Sequence, residues 1–166
     1  VSYFLMSTIY IVGTPIGNLQ DITFRAVETL RNVDFVLAED TRKTKILLDY
    51  YKINKPIISY HQHSTQSKIS HIMNLLKSDK DLALVTDAGT PGISDPGNYL
   101  LGELWKKKLN GFNVDIIPIP GVSSVTTILS VCGFPTDDFL FLGFLPKKKG
   151  KETLLKSLKD EKRTII

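Results

Sequence analysis

The sequence predicts an α/β fold, a mostly parallel sheet with helices on both faces, followed by the start of a second α/β domain. Three observations carry this expectation. Short β-branched or aromatic runs recur along the 166 residues and alternate with segments of helical spacing. Such βαβα alternation is the mark of a parallel sheet covered by helices. Gly- and Pro-rich stretches follow the apolar runs, where ligand loops of open α/β sheets lie.

The expected strands are residues 9–12, 35–38, 56–60, 82–86, 114–119 and 139–145, each short and bounded by polar or turn residues. The first expected helix covers 22–31 behind Asp21, a good N-cap. The second covers 41–51, with Ile46, Leu47 and Tyr50 at helical spacing. The third, 67–76, places Ile69, Ile72, Met73 and Leu76 on one face. The fourth, 98–109, ends at Asn110-Gly111, and the fifth, 122–131, ends before Gly133 and Pro135. Pro146-Lys147-Lys148-Lys149-Gly150 reads as a break, giving a domain over 1–146 and the first elements of another over 147–166. Residues 163–166 look like a strand just beginning, so the second domain is expected to be truncated here.

Composition narrows the function classes. Hydrophobic residues make up 42% and charged residues 23%, as in an ordinary globular domain. The single cysteine, Cys132, excludes an intramolecular disulfide framework and a cysteine zinc cluster, and reads as a small core residue of an apolar helix. No apolar run approaches the roughly 18 residues of a membrane span. Residues 1–8 lack a signal-peptide pattern, so no membrane association and a reducing, cytoplasmic setting are expected. The net charge of +4 is uneven: residues 147–163 hold eight basic and three acidic side chains, and the remainder is near neutral. That basic segment suggests a polyanionic partner.

The loops after the strands hold the candidate chemistry. Gly13 to Asp21 is neither a Gly-x-Gly-x-x-Gly turn nor a Gly-Lys-Ser/Thr phosphate loop, which disfavours a dinucleotide or a nucleoside triphosphate. Ala38-Glu39-Asp40-Thr41-Arg42 sets two carboxylates and a guanidinium at a strand end. Asp40 or Thr41 could serve only as a helix cap, but capping leaves Glu39 and Arg42 unexplained. His61-Gln62-His63 lacks a third ligand close by, so no metal is expected. Residues 87–97, Asp-Ala-Gly-Thr-Pro-Gly-Ile-Ser-Asp-Pro-Gly, exceed what a turn requires. Pro118 to Ser124 leads into a helix whose free N–H groups suit a polar or anionic ligand group. Together the loops read as a cleft for a polar, non-phosphorylated ligand.

Four stretches carry a resemblance: Val12-Gly13-Thr14-Pro15-Ile16-Gly17-Asn18-Leu19, Ala38 to Arg42, Asp87 to Gly97, and Gly143-Phe144-Leu145-Pro146-Lys147. In order and spacing they resemble the ribosomal-RNA-methylating members of the tetrapyrrole (corrin/porphyrin) methylase superfamily, over nearly the whole chain. The resemblance implies 2′-O-methylation of a cytidine, C1402, in 16S rRNA of the small ribosomal subunit. It implies S-adenosyl-L-methionine as cofactor, bound between two α/β domains, and a homodimer. This sequence matches the N-terminal domain with the first helix and strand of the next. The implied cofactor contacts are Pro15, Ile16, Gly89, Thr90, Pro91, Ile93, Pro120, Gly121, Ser123 and Ser124. Two departures stand out: the family's His-x-His-Asn-Glu is His61-Gln62-His63-Ser64-Thr65 here, and its Pro-Gly-Pro-Ser-Ala is Pro120-Gly121-Val122-Ser123-Ser124.

Methylation of a hydroxyl calls for a proton acceptor, for which Glu39 and Asp40 are the candidates. Arg42, Lys147, Lys148, Lys149 and Lys151 are the candidate RNA contacts. Two alternatives remain open at this point: a tetrapyrrole methyltransferase, and a ligand- or RNA-binding module without activity.

Overall fold

The computed structural model describes residues 7–61, 64–95, 97–147 and 149–166. Residues 1–123 and 124–166 form two compact units. The expected boundary lay after residue 146; residues 124–146 group with the C-terminal residues.

The first unit is a five-stranded parallel sheet of order β3-β2-β4-β1-β5. Its strands are β1 (Ser7–Val12), β2 (Phe35–Ala38), β3 (Ile57–Ser59), β4 (Leu82–Val85) and β5 (Val114–Ile119). All four residues of β4 are buried, as expected for a central strand covered on both sides. Its register is fixed by Ile9 opposite Leu82 on one side and Leu37 opposite Leu84 on the other.

Four helices cover the two faces: α1 (Phe24–Asn32), α2 (Thr41–Tyr50), α3 (Gln66–Lys77) and α4 (Asn98–Leu109). Ala26, Val27 and Leu30 of α1 and Leu48 of α2 share a core with Val12, Val36, Ala38, Ala83 and Val85. Ile69, Ile72, Met73 and Leu76 of α3 and Leu100 and Leu104 of α4 share another with Ile9, Ile11, Leu37, Leu82 and Leu84. The period-2 alternation of the strands thus feeds two cores at once.

One cap differs from expectation. A short 3-10 turn, Leu19–Asp21, absorbs Asp21, and α1 starts behind Thr23, whose hydroxyl accepts the Ala26 N–H at 3.1 Å. Asn18 accepts the Gln20 N–H and closes that turn, leaving Thr23 as the last extended residue before the helix.

At the amino ends of the strands, Asp81 accepts the Thr8 N–H at 2.7 Å, and Asp34 accepts the Asp81 N–H at 2.8 Å. Lys80 lies 3.1 Å from Asp34. This chain of bonds ties β1 and the entries to β2 and β4.

The second unit contains α5 (Ser124–Val131), β6 (Phe139–Leu140), α6 (Lys151–Ser157) and β7 (Thr164–Ile165). β6 and β7 pair in parallel, extended by Leu142 N–H to Ile166 O at 2.7 Å. The expected strand over 139–145 shortens to two residues, as the backbone turns at Gly143, φ 68°. Cys132 lies past the end of α5 and is half-buried, so it is not the helical core residue expected. No described residue of this unit is buried. Among the described residues no helix is long and apolar enough to cross a membrane.

Candidate functional site

The carboxyl ends of β1, β4 and β5 are laced together by their backbones. Gly13 donates to Ile119 O at 3.1 Å. Thr14 and Gly89 exchange both backbone hydrogen bonds, at 2.9 and 3.0 Å, as an isolated antiparallel bridge. The Thr14 hydroxyl reaches Thr86 O at 3.2 Å, and the Thr90 hydroxyl reaches Val122 O at 3.4 Å.

Glycine makes this closeness possible. A Cβ on Gly13 would stand 2.9 Å from Gly121 Cα and N, and a Cβ on Gly121 would stand 3.0 Å from Gly13 Cα and O. Gly89 has φ +80°, a left-handed conformation that side chains rarely adopt, with Ile16 packed beside it. Of the residues expected at the cofactor, Pro15, Gly89 and Pro91 are buried, Ile16 and Thr90 half-buried, and Ile93, Pro120 and Gly121 exposed. Pro15, Ile16, Gly89, Thr90, Pro91, Pro120 and Gly121 therefore belong to one three-loop floor. Ser123 is half-buried at the end of the first unit; Ser124 is the first residue of α5 in the second.

Beside this floor lies a charged corner at the ends of β2 and β4. The two neighbouring carboxylates there differ sharply. Asp40 caps α2, accepting the Arg42 N–H at 2.9 Å, and its two oxygens take Arg42 Nε and Nη2 at 3.1 and 2.8 Å. These bonds hold its pKa down at about 2. Arg42 is 88% exposed but committed to that pair. Glu39 has its pKa raised, by burial first and then by the charges of Asp87 and Asp95. The Asp87 N–H, 3.5 Å from Glu39 Oε2, and the Lys43 ammonium oppose this rise.

Asp87 is the hub of the corner. It accepts the Asp40 N–H at 3.1 Å and pairs with Lys43 Nζ at 2.6 Å. Thr14, Pro15, Lys43, Thr44, Thr86 and Asp87 border a cavity of about 70 Å³, room for one or two waters. Thr86 is 3% exposed; its hydroxyl lies near the Asp95 carboxylate and has no other hydrogen-bond partner among the described residues.

Sequence reasoning singled out neither Lys43 nor Thr86 and gave Asp87 and Asp95 no role of their own. Asp87 and Asp95 were visible as the acids of the densest Gly/Pro loop. Lys43 carried no signal beyond following Arg42.

The remaining candidates do not gather here. Lys147, Lys149 and Lys151 are exposed in the second unit, Lys151 as the first residue of α6. Lys148 and His63 lie outside the described residues. His61 is exposed, its N–H bonded to the Ser64 hydroxyl. Among the described residues no three His, Cys, Asp or Glu side chains are placed to hold a metal ion.

Comparison with known proteins accounts for this arrangement. A protein of Thermotoga maritima, a ribosomal RNA small subunit methyltransferase I, is 51% identical over 97% of this chain and 70% of its own length. One of the same name from Mycoplasmopsis pulmonis is 52% identical over 88% of this chain and 63% of its own length. The chain thus spans between about half and two thirds of the length of most such relatives. A solved diphthine synthase structure superposes with a TM-score of 0.63 at 16% identity, covering 91% of this chain and 59% of that one, a likeness of fold. The model of the tetrapyrrole (corrin/porphyrin) methylases matches residues 8–166. With its parallel sheet, its laced carboxyl-end loops and a match over nearly its whole length, the chain belongs to the tetrapyrrole (corrin/porphyrin) methylase family.

Proposed function

We propose that this chain supplies the methyl-donor side of an S-adenosylmethionine-dependent RNA methyltransferase. Its substrate is 16S rRNA in the small ribosomal subunit, and its target is the 2′-hydroxyl of cytidine C1402. The observation that carries the donor half of this reading is the three-loop floor, in which Gly13 and Gly121 touch and Thr14 bridges Gly89. The floor offers backbone polar groups and apolar walls, with no Gly-Lys-Ser/Thr loop for phosphate. That donor set fits an adenosine with an amino-acid tail. The RNA half is supported by relatives about half identical over nearly the whole chain, whose names specify the small-subunit RNA.

Pro15, Ile16, Gly89, Thr90, Pro91, Ile93, Pro120, Gly121, Ser123 and Ser124 hold the cofactor. When bound, S-adenosylmethionine supplies an electrophilic methyl group. The chain itself must orient the ribose oxygen toward it at near-attack distance and take the hydroxyl proton. Glu39 suits the proton-accepting role, because its raised pKa makes it a better acceptor than an ordinary carboxylate. Asp40, the other candidate, is held by Arg42 as the cap of α2. Lys147, Lys148, Lys149 and Lys151 meet RNA phosphates; Arg42 serves as an RNA contact only by leaving Asp40. The protein works as a homodimer in the cytoplasm.

The test is transfer of labelled methyl from S-adenosylmethionine to small ribosomal subunits lacking the modification, with the modified nucleotide mapped. Label on the 2′-oxygen of C1402 is expected. No label on RNA, with label on a tetrapyrrole offered in a parallel reaction, would replace this reading with the corrin/porphyrin one.

A further inference from the structure

A second cavity lies away from the loop floor, under the last turn of α1. It measures about 150 Å³, room for one small organic ion, and is bordered by Tyr10, Glu28, Thr29, Asn32, Val33 and Asp81. Glu28, Thr29 and Asn32 belong to α1 and Val33 is its C-cap. Tyr10 comes from β1, where it packs against the core shared with α1, and Asp81 immediately precedes β4. Every bordering side chain except Val33 carries an acceptor oxygen, and no described Lys, Arg or His borders the cavity.

Both acids here lack a counter-ion: neither Glu28 nor Asp81 forms an ion pair with any described residue. Asp81 spends one oxygen, Oδ1, on the Thr8 N–H at 2.7 Å. Lys80 is taken by Asp34, and Arg31 of α1 donates to Tyr51 O at 3.1 Å. An independent observation comes from Thr29. It is 9% exposed, borders the cavity, and its hydroxyl makes no hydrogen bond with a described residue. A helical threonine hydroxyl commonly bonds the carbonyl one turn back, and a buried hydroxyl is ordinarily satisfied, so this one marks a place for a ligand donor. The carboxyl end of α1 adds its own partial negative charge on the same side.

We propose that this cavity binds a guanidinium cation, with Glu28 and Asp81 supplying the charge and Thr29, Asn32 and Tyr10 the remaining acceptors. The site is separate from the methyl-donor reading and does not depend on it. Phosphates and carboxylates are repelled by both acids. A metal ion is poorly served, because no three ligating side chains among the described residues converge for one. An ammonium offers three donors about a point, whereas a guanidinium spreads five in a plane and stacks on an aromatic ring such as that of Tyr10. A bound cation would tie the last turn of α1 to β1 and β4, beside the Thr8–Asp81 bond. The guanidinium could belong to a free small molecule or to an arginine side chain.

Titrations followed by amide NMR, at constant ionic strength set with potassium chloride, test this. The probes are agmatine, putrescine (a dication with ammonium groups only) and the capped peptide acetyl-Gly-Arg-Gly-amide. Agmatine should give saturable shifts at the amides of Thr29, Val33 and Asp81 and at the Asn32 side chain, with a dissociation constant in the low millimolar range. Putrescine should bind several-fold more weakly. Glu28→Gln should weaken agmatine binding about fivefold, the scale of one charge at 4 Å in a solvated setting. Thr29→Val should weaken it several-fold while the variant still melts cooperatively. A peptide that binds as tightly as agmatine makes an arginine side chain the source; a peptide that fails while agmatine binds makes it a free cation. Shifts that do not saturate, putrescine binding as tightly as agmatine, or agmatine affinity that survives both substitutions overturns the site.

Discussion

At the amino ends of the sheet, Asp34 and Asp81 accept backbone N–H groups at 2.8 and 2.7 Å, and Lys80 neutralises Asp34. At the carboxyl ends, Glu39 has one long bond, at 3.5 Å, and Asp95 has no ion pair among the described residues. Both sets of acids flank the same strands, yet the proton affinities of Asp34 and Glu39 move in opposite directions. Burial raises the pKa of Asp34, but the Asp81 N–H, Lys80 and Lys55 outweigh it and the net shift is down. For Glu39 burial is reinforced by Asp87 and Asp95, and the net shift is up. Acids that only hold the fold together are satisfied by it. Glu39 and Asp95, at the carboxyl ends, are left without an ion-pair partner among the described residues.

The largest effect should come from closing the floor itself. Gly13→Val forces a side chain against the Gly121 backbone, where even a Cβ stands at 2.9 Å. A loss of roughly 2–3 kcal/mol in chemical denaturation is expected, with loss of S-adenosylmethionine binding. Gly102→Ala is the matched control: its Cβ meets nothing within 4 Å, and in a helix it should stabilise by up to about 1 kcal/mol.

Next comes the contrast between the acidic corner and the basic segment 147–163. Replacing Lys147, Lys148, Lys149 and Lys151 by Gln should reduce the log–log salt slope of RNA binding by about 3 to 4. S-adenosylmethionine affinity should not change. An unchanged slope would mean that these lysines serve only as a solvated segment.

The two ends of the sheet should then respond to neutralisation with opposite signs. Asp34→Asn should destabilise by about 1 kcal/mol at pH 7, a value held down by the partial exposure of its ion pair. Because the folded pKa of Asp34 is lowered, wild type has this stability above the unfolded value and loses it as pH falls through the folded one. Glu39→Gln should raise the melting temperature at pH 7 by about 1–3 °C. The folded pKa of Glu39 is raised, so wild type loses stability as pH rises through it, and the gain of the variant should vanish in melts below that pH. A Glu39 variant less stable than wild type at pH 7 would make this acid structural, like Asp34.

Much of this was legible in the sequence, for identifiable reasons. β2, β5 and α4 fall at the expected residues because their apolar patterns end abruptly at turn or charged residues. The loops of the floor were legible as Gly- and Pro-rich breaks after strands. Their lacing was not, because the Thr14–Gly89 bridge and the Gly13–Gly121 contact depend on strand order, which no local pattern encodes. The same holds for the corner: Glu39 meets Asp87 only because β2 lies beside β4 in a register that aligns Ala38 with Val85. Asp40 and Glu39 looked alike as neighbours in sequence. Only the cap geometry of α2 separates them. In the second unit the pattern overreached: an apolar-rich run over 139–145 suggested a strand where Gly143 lets only Phe139 and Leu140 pair.

The most direct test of the contrast between the two ends of the sheet is carboxyl-carbon NMR titration of Glu39 beside Asp34. Glu39 should titrate above the ordinary glutamate value and Asp34 below the ordinary aspartate value. A Glu39 that titrates at or below the ordinary value, or an Asp34 at or above it, would contradict the account.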